Sequence, residues 1–224
     1  MRASKTHHAP DTDQGFTLIE LAIVILIIGL LLGSLIIPLQ AKIEIQRRET
    51  TTTSLEAVRE ALLGFAAVNR RLPCPDTDND GLEDAGACNQ EGQIPWATLG
   101  IERFDAWGRI FRYRAESNYT TAPIQDPPDT ASNLTIRDRN NTALTGPNPN
   151  ALAAVIFSCG GDGKPNADND ANGTPNNDAS CTNPGTANAF YTQDVFVADQ
   201  FDDLVIGISK NTLLNRLVSA GKWP

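Results

Sequence analysis

The sequence predicts an α+β chain: a long N-terminal α-helix, membrane-spanning in its first half, packed on a small antiparallel β-sheet head with disulfide-bracketed loops. Three observations lead there. Phe16 to Leu39 is an apolar run interrupted by a single charge, Glu20. Apolar residues then recur at helical spacing to about Asn69. Beyond Pro73 the composition shifts to loops and short β-branched or aromatic runs that hold all four cysteines. The expected division is a polar leader (1–15), an apolar helix (16–39), its amphipathic continuation (40–70) and a globular head (71–224).

At about 1.5 Å per residue the apolar run measures roughly 36 Å, enough for a hydrocarbon core of about 30 Å. It exceeds a secretory h-region of about 7–15 residues, and no A-x-A-like cleavage site follows it. Ile43, Leu55, Val58, Leu62, Phe65 and Ala66 carry the helical period onward. Pro38 is a candidate kink, because proline removes a backbone hydrogen bond and clashes with the preceding turn. Gly29 and Gly33 form a G-x-x-x-G step that permits close helix approach, although chance spacing produces it almost as readily. Thr50 to Thr53 lowers helix propensity locally.

In the head, Ile110 to Arg114, Ala153 to Ser158 and Leu204 to Ser209 are strand candidates. A sheet of these strands on the second half of the helix buries both surfaces. Asp126 to Asn150, rich in Pro, Asn and Thr, reads as a loop. Ser209 or Asn211 caps a last helix in which Leu213, Leu214, Leu217 and Val218 face inward and Gly221 is the stop. Trp96 and Trp107 read as core anchors.

Glu20 is the functional candidate of the apolar run, since a carboxylate near a bilayer centre costs roughly 2.5–3.5 kcal/mol and needs a partner. With its neighbours Gly15-Phe16-Thr17-Leu18-Ile19 it resembles the type IV prepilin family, in which a polar leader ends in glycine, phenylalanine follows, and glutamate is the fifth mature residue. The resemblance implies cleavage after Gly15 by a membrane-embedded prepilin peptidase and methylation of the new amino terminus at Phe16. It makes residues 16–39 an assembly helix, with Glu20 pairing with the terminal amine of a neighbouring Phe16. The competing reading is a plain signal anchor whose glutamate reaches the interface. Arg2 and Lys5 are offset by Asp11 and Asp13, while Lys42, Arg47 and Arg48 lie beyond the span, so the positive-inside rule is only weakly served. Placement of the head in the periplasm rests on the resemblance. Asp105-Ala106-Trp107-Gly108 with Phe111 and Tyr113 is similar to the D-x-W-G-x-x-x-x-Y stretch of type II secretion pseudopilins. Leu72-Pro73-Cys74-Pro75, Ile94-Pro95-Trp96 and Asp202-Asp203-Leu204-Val205 suggest the same pseudopilin or minor-pilin group.

Leader charges cancel, so the remainder keeps the formal charge of −9, which argues against nucleic-acid binding by bulk charge. Both histidines, His7 and His8, lie in the leader. The head therefore lacks the Ser-His-Asp and Cys-His nucleophile systems and the common histidine-containing zinc sites. With no phosphate loop or dinucleotide fingerprint, the expectation is not an enzyme and no organic cofactor.

An even cysteine count in an exported domain favours two disulfides. Of three connectivities, Cys74–Cys88 and Cys159–Cys181 are preferred because each brackets a polar, Gly- and Asp-rich loop unable to build its own core. Each bridge contributes about 3 kcal/mol in the loop-entropy model. A four-cysteine zinc site is the rival, although neither pair has the usual short ligand spacing. Within the first loop Asp76, Asp78, Asp80 and Asp84 stand at relative positions 1, 3, 5 and 9, with Gly81 at 6 and the Leu82 carbonyl at 7. That is the front of a calcium loop. The second repeats the spacing with Asp168, Asp170, Asn172, Gly173 and Asn176. Ala87 and Ala179 replace the closing bidentate glutamate, which excludes a complete EF-hand. Glu83, Glu91, Asp162 or Asp178 are alternative oxygens for a different shell. The competing reading is a pair of Asx-turn-rich surface loops.

The expected function is a structural subunit of a type IV pilus or type II secretion pseudopilus, inserted in a bacterial inner membrane and polymerised through its helix. Its implied partners are prepilin peptidase, other pilin or pseudopilin subunits, and the inner-membrane assembly platform with its ATPase in trans. The alternative is a membrane-anchored, calcium-stabilised binding module, an adhesin or substrate receptor using the helix for export.

Overall fold

The computed structural model describes residues 15–124, 132–146, 152–169, 181, 189–198 and 200–223, and of 33–39 the backbone alone. In chain order the elements are α1 (Leu18–Asn69), β1 (Glu91–Gln93), α2 (Trp96–Leu99), β2 (Arg112–Ala115), β3 (Thr135–Arg137), β4 (Leu152–Ser158), β5 (Phe190–Thr192), β6 (Leu204–Ser209) and α3 (Lys210–Ser219). The chain divides into two compact units, Met1–Ile45 and Gln46–Pro224.

The first unit contributes the start of α1, whose large apolar side chains from Leu18 to Leu32 are 48–89% exposed. Among the described residues no helix is long and apolar enough to cross a membrane. Residues 33–39, which complete the apolar run in the sequence, lie outside the described side chains. The helix continues through Pro38 to Asn69.

In the second unit the rest of α1 becomes one-sided. Leu55, Val58, Leu62, Leu63 and Ala66 are buried against Phe111, Tyr113, Ala154, Ile156 and Ile208, and α3 adds Leu213 and Leu217. The main sheet has the order β1-β2-β4-β6 and is antiparallel throughout. Every residue of β4 is buried. Its alternate residues Val155 and Phe157 face a second layer with Leu134, Ile136, Tyr191 and Val205, which explains why this strand reads as an unbroken apolar run. Gly207 permits that layer, since a Cβ there would lie 2.7 Å from Leu152 Cδ2.

The α+β architecture and the antiparallel sheet on the helix are as the sequence predicts, and four details differ. β1, with the sequence Glu-Gly-Gln, gave no apolar signal. The expected loop Asp126–Asn150 contains β3, which pairs in parallel with β5; residues 125–131 and 147–150 lie outside the described set. Val218 is 56% exposed, so the inward face of α3 is narrower than expected. Trp96 packs against the core only in part, and Trp107 is half-buried outside both clusters.

The threonine run is used rather than merely tolerated. Thr50, Thr52 and Thr53 return their hydroxyls to carbonyls one turn back, while buried Thr51 accepts a hydrogen bond from the Ala106 amide at 3.2 Å. Asp105 Oδ1 accepts from the amides of Trp107 and Arg109, and its Oδ2 accepts from Ser158 Oγ at 2.6 Å. The Asp-Ala-Trp-Gly stretch is thus a turn that joins α1 to β4.

Two disulfides, Cys74–Cys88 and Cys159–Cys181, close the two polar loops. No cysteine is free, which leaves no thiolate for zinc. Truncating Leu62 to alanine should cost about 2–5 kcal/mol and lower the thermal midpoint of the full chain by roughly 4–20 °C. Val68→Ala, at an exposed position of the same helix, should leave the midpoint nearly unchanged when followed by circular dichroism.

Candidate functional site: the helix start and the acidic loop

The N-terminal site is built by a reciprocal cap. Thr17 Oγ1 accepts from the Glu20 amide at 3.3 Å, and Glu20 Oε2 accepts from the Thr17 amide at 3.2 Å and the Thr17 hydroxyl at 3.1 Å. This is a capping box, in which two side chains satisfy amides that the first helical turn leaves without partners. Glu20 therefore has a local role that the sequence reading did not assign. Its position also favours a negative charge, since helix N-termini carry partial positive charge. Phe16 is 84% exposed beside it, and among the described residues no heavy atom lies within 4 Å of where a Cβ of Gly15 would stand. Gly15 and Phe16 are both exposed among the described residues.

In the first disulfide loop Asp76 is the organising residue. It is fully buried, with Oδ1 accepting from the Asn79 amide at 2.6 Å and Oδ2 from the Gly81 amide at 2.8 Å. Gly81 is required there, since φ is +87° and a Cβ would stand 2.4 Å from the Trp96 ring. Asp78 Oδ1 accepts from the Asp80 amide, Asp80 Oδ1 from the Leu82 amide at 2.7 Å, and Asp84 Oδ2 from the amide and hydroxyl of Thr77. Burial first, and the neighbouring charges of Asp78 and Asp80, push the Asp76 carboxyl up against its backbone hydrogen bonds.

The fold brings together carboxylate oxygens of Asp76, Asp78 and Asp84, all within 4.8 Å of one another. Asp80 is outside that group, and Leu82 has its side chain exposed. Each carboxylate oxygen offers two lone-pair sites, so oxygens that accept one amide retain capacity. Three carboxylates converging without a paired Lys or Arg among the described residues form a donor set suited to a hard, oxygen-seeking cation.

The alternative ligands go elsewhere. Glu83 makes a two-pronged pair with Arg71, both contacts 2.6 Å, and accepts from the Cys74 amide. Glu91 is buried with Arg112 and the Tyr191 hydroxyl. Asp162 Oδ1 accepts from the Lys164 amide. In the second loop Asp168 is bound by Arg137 Nε at 2.7 Å and the Thr192 hydroxyl at 3.0 Å, while Asp170, Asn172, Asn176 and Asp178 lie outside the described residues.

Sequence reasoning missed the buried network of Glu91, Arg112 and Tyr191. Arg112 also donates to the Cys181 carbonyl at 3.1 Å, tying the second disulfide to β2. The available signal was two arginines, Arg112 and Arg114, in alternation within a strand of otherwise apolar and aromatic residues.

The Arg71 guanidinium holds the Glu83 carboxyl below its ordinary value of 4.5. A depressed acid contributes stability that is fully present above the unfolded value and is lost as pH falls through the folded one. Thermal melts from pH 6 to pH 3 should therefore show a steeper loss below about pH 4.5 in the parent chain than in Glu83→Gln.

Residues 11–36 match a family model described as the prokaryotic N-terminal methylation motif. Neither the curated proteins nor the solved structures contain a match to this chain. The match covers the helix start with Gly15, Phe16, the Thr17–Glu20 cap and the apolar residues that follow, so the chain carries the N-terminal signal of type IV prepilins and pseudopilins.

Proposed function

We propose that the protein is a structural subunit of a type IV pilus or a secretion pseudopilus. In this reading it is made as an inner-membrane precursor, cut after Gly15 by a prepilin peptidase and methylated at Phe16. It then polymerises through its N-terminal helix, driven by an assembly platform and an ATPase in trans. The observation that carries the reading is the match over 11–36 on a helix whose large apolar side chains from Leu18 to Leu32 are largely exposed among the described residues. Lipid before assembly and neighbouring copies after it are the two apolar environments that can cover them.

Physical chemistry supports the two stages. In the precursor the Thr17–Glu20 box satisfies the amides of Thr17 and Glu20 without a partner molecule. Once residues 1–15 are removed, the Phe16 amine becomes a cation within the same turn. A copy arriving beside it offers Glu20, and a charge pair formed in a dry setting leaves a large penalty for any register that separates the two.

The convergence of Asp76, Asp78 and Asp84 supports a second element, a structural calcium ion in the first disulfide loop. It equally favours the alternative function, an anchored binding module whose loop recognises a ligand.

Sheared filaments and membranes from the same cells, compared by quantitative mass spectrometry, test the main reading. The expected N-terminal peptide begins at methylated Phe16 and is enriched in filaments for a pilin, or remains with membranes and periplasm for a pseudopilin. A peptide that retains residues 1–15 in both fractions would refute it. Glu20→Ala should keep membrane insertion and lose incorporation; unchanged filaments with lost ligand binding in Asp76→Ala would favour the module. For calcium, a chelator should lower the thermal midpoint of the full chain and added calcium restore it. An unaltered midpoint would exclude a structural ion.

A further inference from the structure

The head carries the Asn-x-Thr spacing of an N-glycan acceptor, with an acid two residues before the asparagine, at Glu116-Ser117-Asn118-Tyr119-Thr120 and at Asp138-Arg139-Asn140-Asn141-Thr142. The added acid is the feature that bacterial oligosaccharyltransferases select. Asp170-Ala171-Asn172-Gly173-Thr174 repeats the spacing outside the described residues, and Asn133-Leu134-Thr135 has it without the acid. Asp, Asn and Thr are also turn residues, so the fold must separate an acceptor from an ordinary turn.

At Asn118 the fold closes the sequence off. Tyr119 is fully buried, and its carbonyl accepts from the Leu72 amide at 2.7 Å. Thr120 is 6% exposed and its hydroxyl donates to the Ser117 carbonyl at 2.7 Å. A transferase reading both Asn118 and the threonine hydroxyl would have to pull Tyr119 from the core.

At Asn140 the same spacing stands on an open turn at the end of β3. Arg139, Asn140, Asn141 and Thr142 are all exposed. Asn141 takes a positive φ of 64°, which asparagine tolerates better than most residues. The turn is held by its own first residue: Asp138 Oδ1 accepts from the Asn140 amide at 2.9 Å and the Thr142 amide at 2.8 Å. The Asn140 side-chain amide and the Thr142 hydroxyl have no hydrogen-bond partner among the described residues. Below the tip, Arg139 Nε pairs with Asp194 at 2.8 Å and Ile136 is buried in the second layer. Opening Asp138 to Thr142 therefore exchanges surface hydrogen bonds for water or transferase contacts and leaves the core packed.

We propose that Asn140 is an N-glycan acceptor, with Asp138 and Thr142 as the residues a transferase reads. The co-reactant is a polyprenyl-diphosphate-linked oligosaccharide. The Asn140 side-chain nitrogen attacks the anomeric carbon, the N–C bond forms as the C–O bond to phosphate breaks, polyprenyl diphosphate leaves with the bonding pair, and one amide proton passes to a base of the transferase. The proposal relies on the reading above only for export of the head.

The test incubates the purified full chain in detergent with a single-subunit bacterial oligosaccharyltransferase and its polyprenyl-diphosphate-linked oligosaccharide, and localises the product by glycopeptide mass spectrometry. The folded chain should gain a glycan at Asn140 and none at Asn118, while the reduced, unfolded chain should gain one at both. Thr142→Ala should lower transfer to Asn140 by tenfold or more with an unchanged thermal midpoint, and Thr142→Ser should restore it. An unmodified Asn140 in the folded chain, equal modification of Asn118 there, or undiminished transfer in Thr142→Ala would overturn the proposal. Because purified protein is used, these outcomes do not depend on cleavage after Gly15 or on assembly, so they separate from failure of the pilin reading.

Discussion

The constraint that stands out among the described residues is an apolar helix surface, Leu18 to Leu32, left largely exposed. From Leu18 to Leu32 the large side chains point outward on every side of α1, and each buried one would be worth about 1.5–3 kcal/mol. Such a surface is incompatible with an isolated chain in water. The capping box at Thr17 and Glu20 bonds two amides of the helix start from within.

The second unit solves the opposite problem. Its part of α1 has one apolar face, and the sheet matches it with Tyr113, Ala154, Ile156 and Ile208. β4 then carries a second apolar layer on its other side. That layer is bordered by polar groups which the apolar contacts alone would leave stranded. Arg112 answers this by reaching Glu91 on β1 and the Cys181 carbonyl on the disulfide loop, and Tyr191 closes the network on β5. Removing one member of such a buried set strands the others, which makes breaking the network costly.

Legibility in the sequence tracks how local the cause is. The helix, its apolar run, the cysteine-bracketed loops and the strands β4 and β6 all announce themselves through period, composition or spacing within a few residues. β1 does not, because Glu91, Gly92 and Gln93 are made into a strand by pairing with Arg112 to Arg114 across the fold. β3 is hidden for the same reason: Ile136 needs Tyr191 beside it, and no window of sequence contains both. Thr51 looks like a weakness in a helix until the Ala106 amide arrives from a distant turn. The N-terminal motif over 11–36 was readable because its signal is contiguous in the sequence. The fate of the acidic loops was not, because it depends on where the arginines fall.

Those loops show what spacing can and cannot specify. Asp76 and Asp168 begin the same pattern of carboxylates and glycine, yet their surroundings differ. Asp168 meets Arg137 on β3 and is held below its ordinary value by that partner. Asp76 meets backbone amides and two further carboxylates, and burial pushes it upward. The first arrangement has its positive charge built in; the second concentrates negative charge and has no Lys or Arg paired with it among the described residues. Alternating acids around a glycine turn therefore fix a loop geometry, and the position of the nearest guanidinium decides whether the carboxylates form an ion pair or converge on one another.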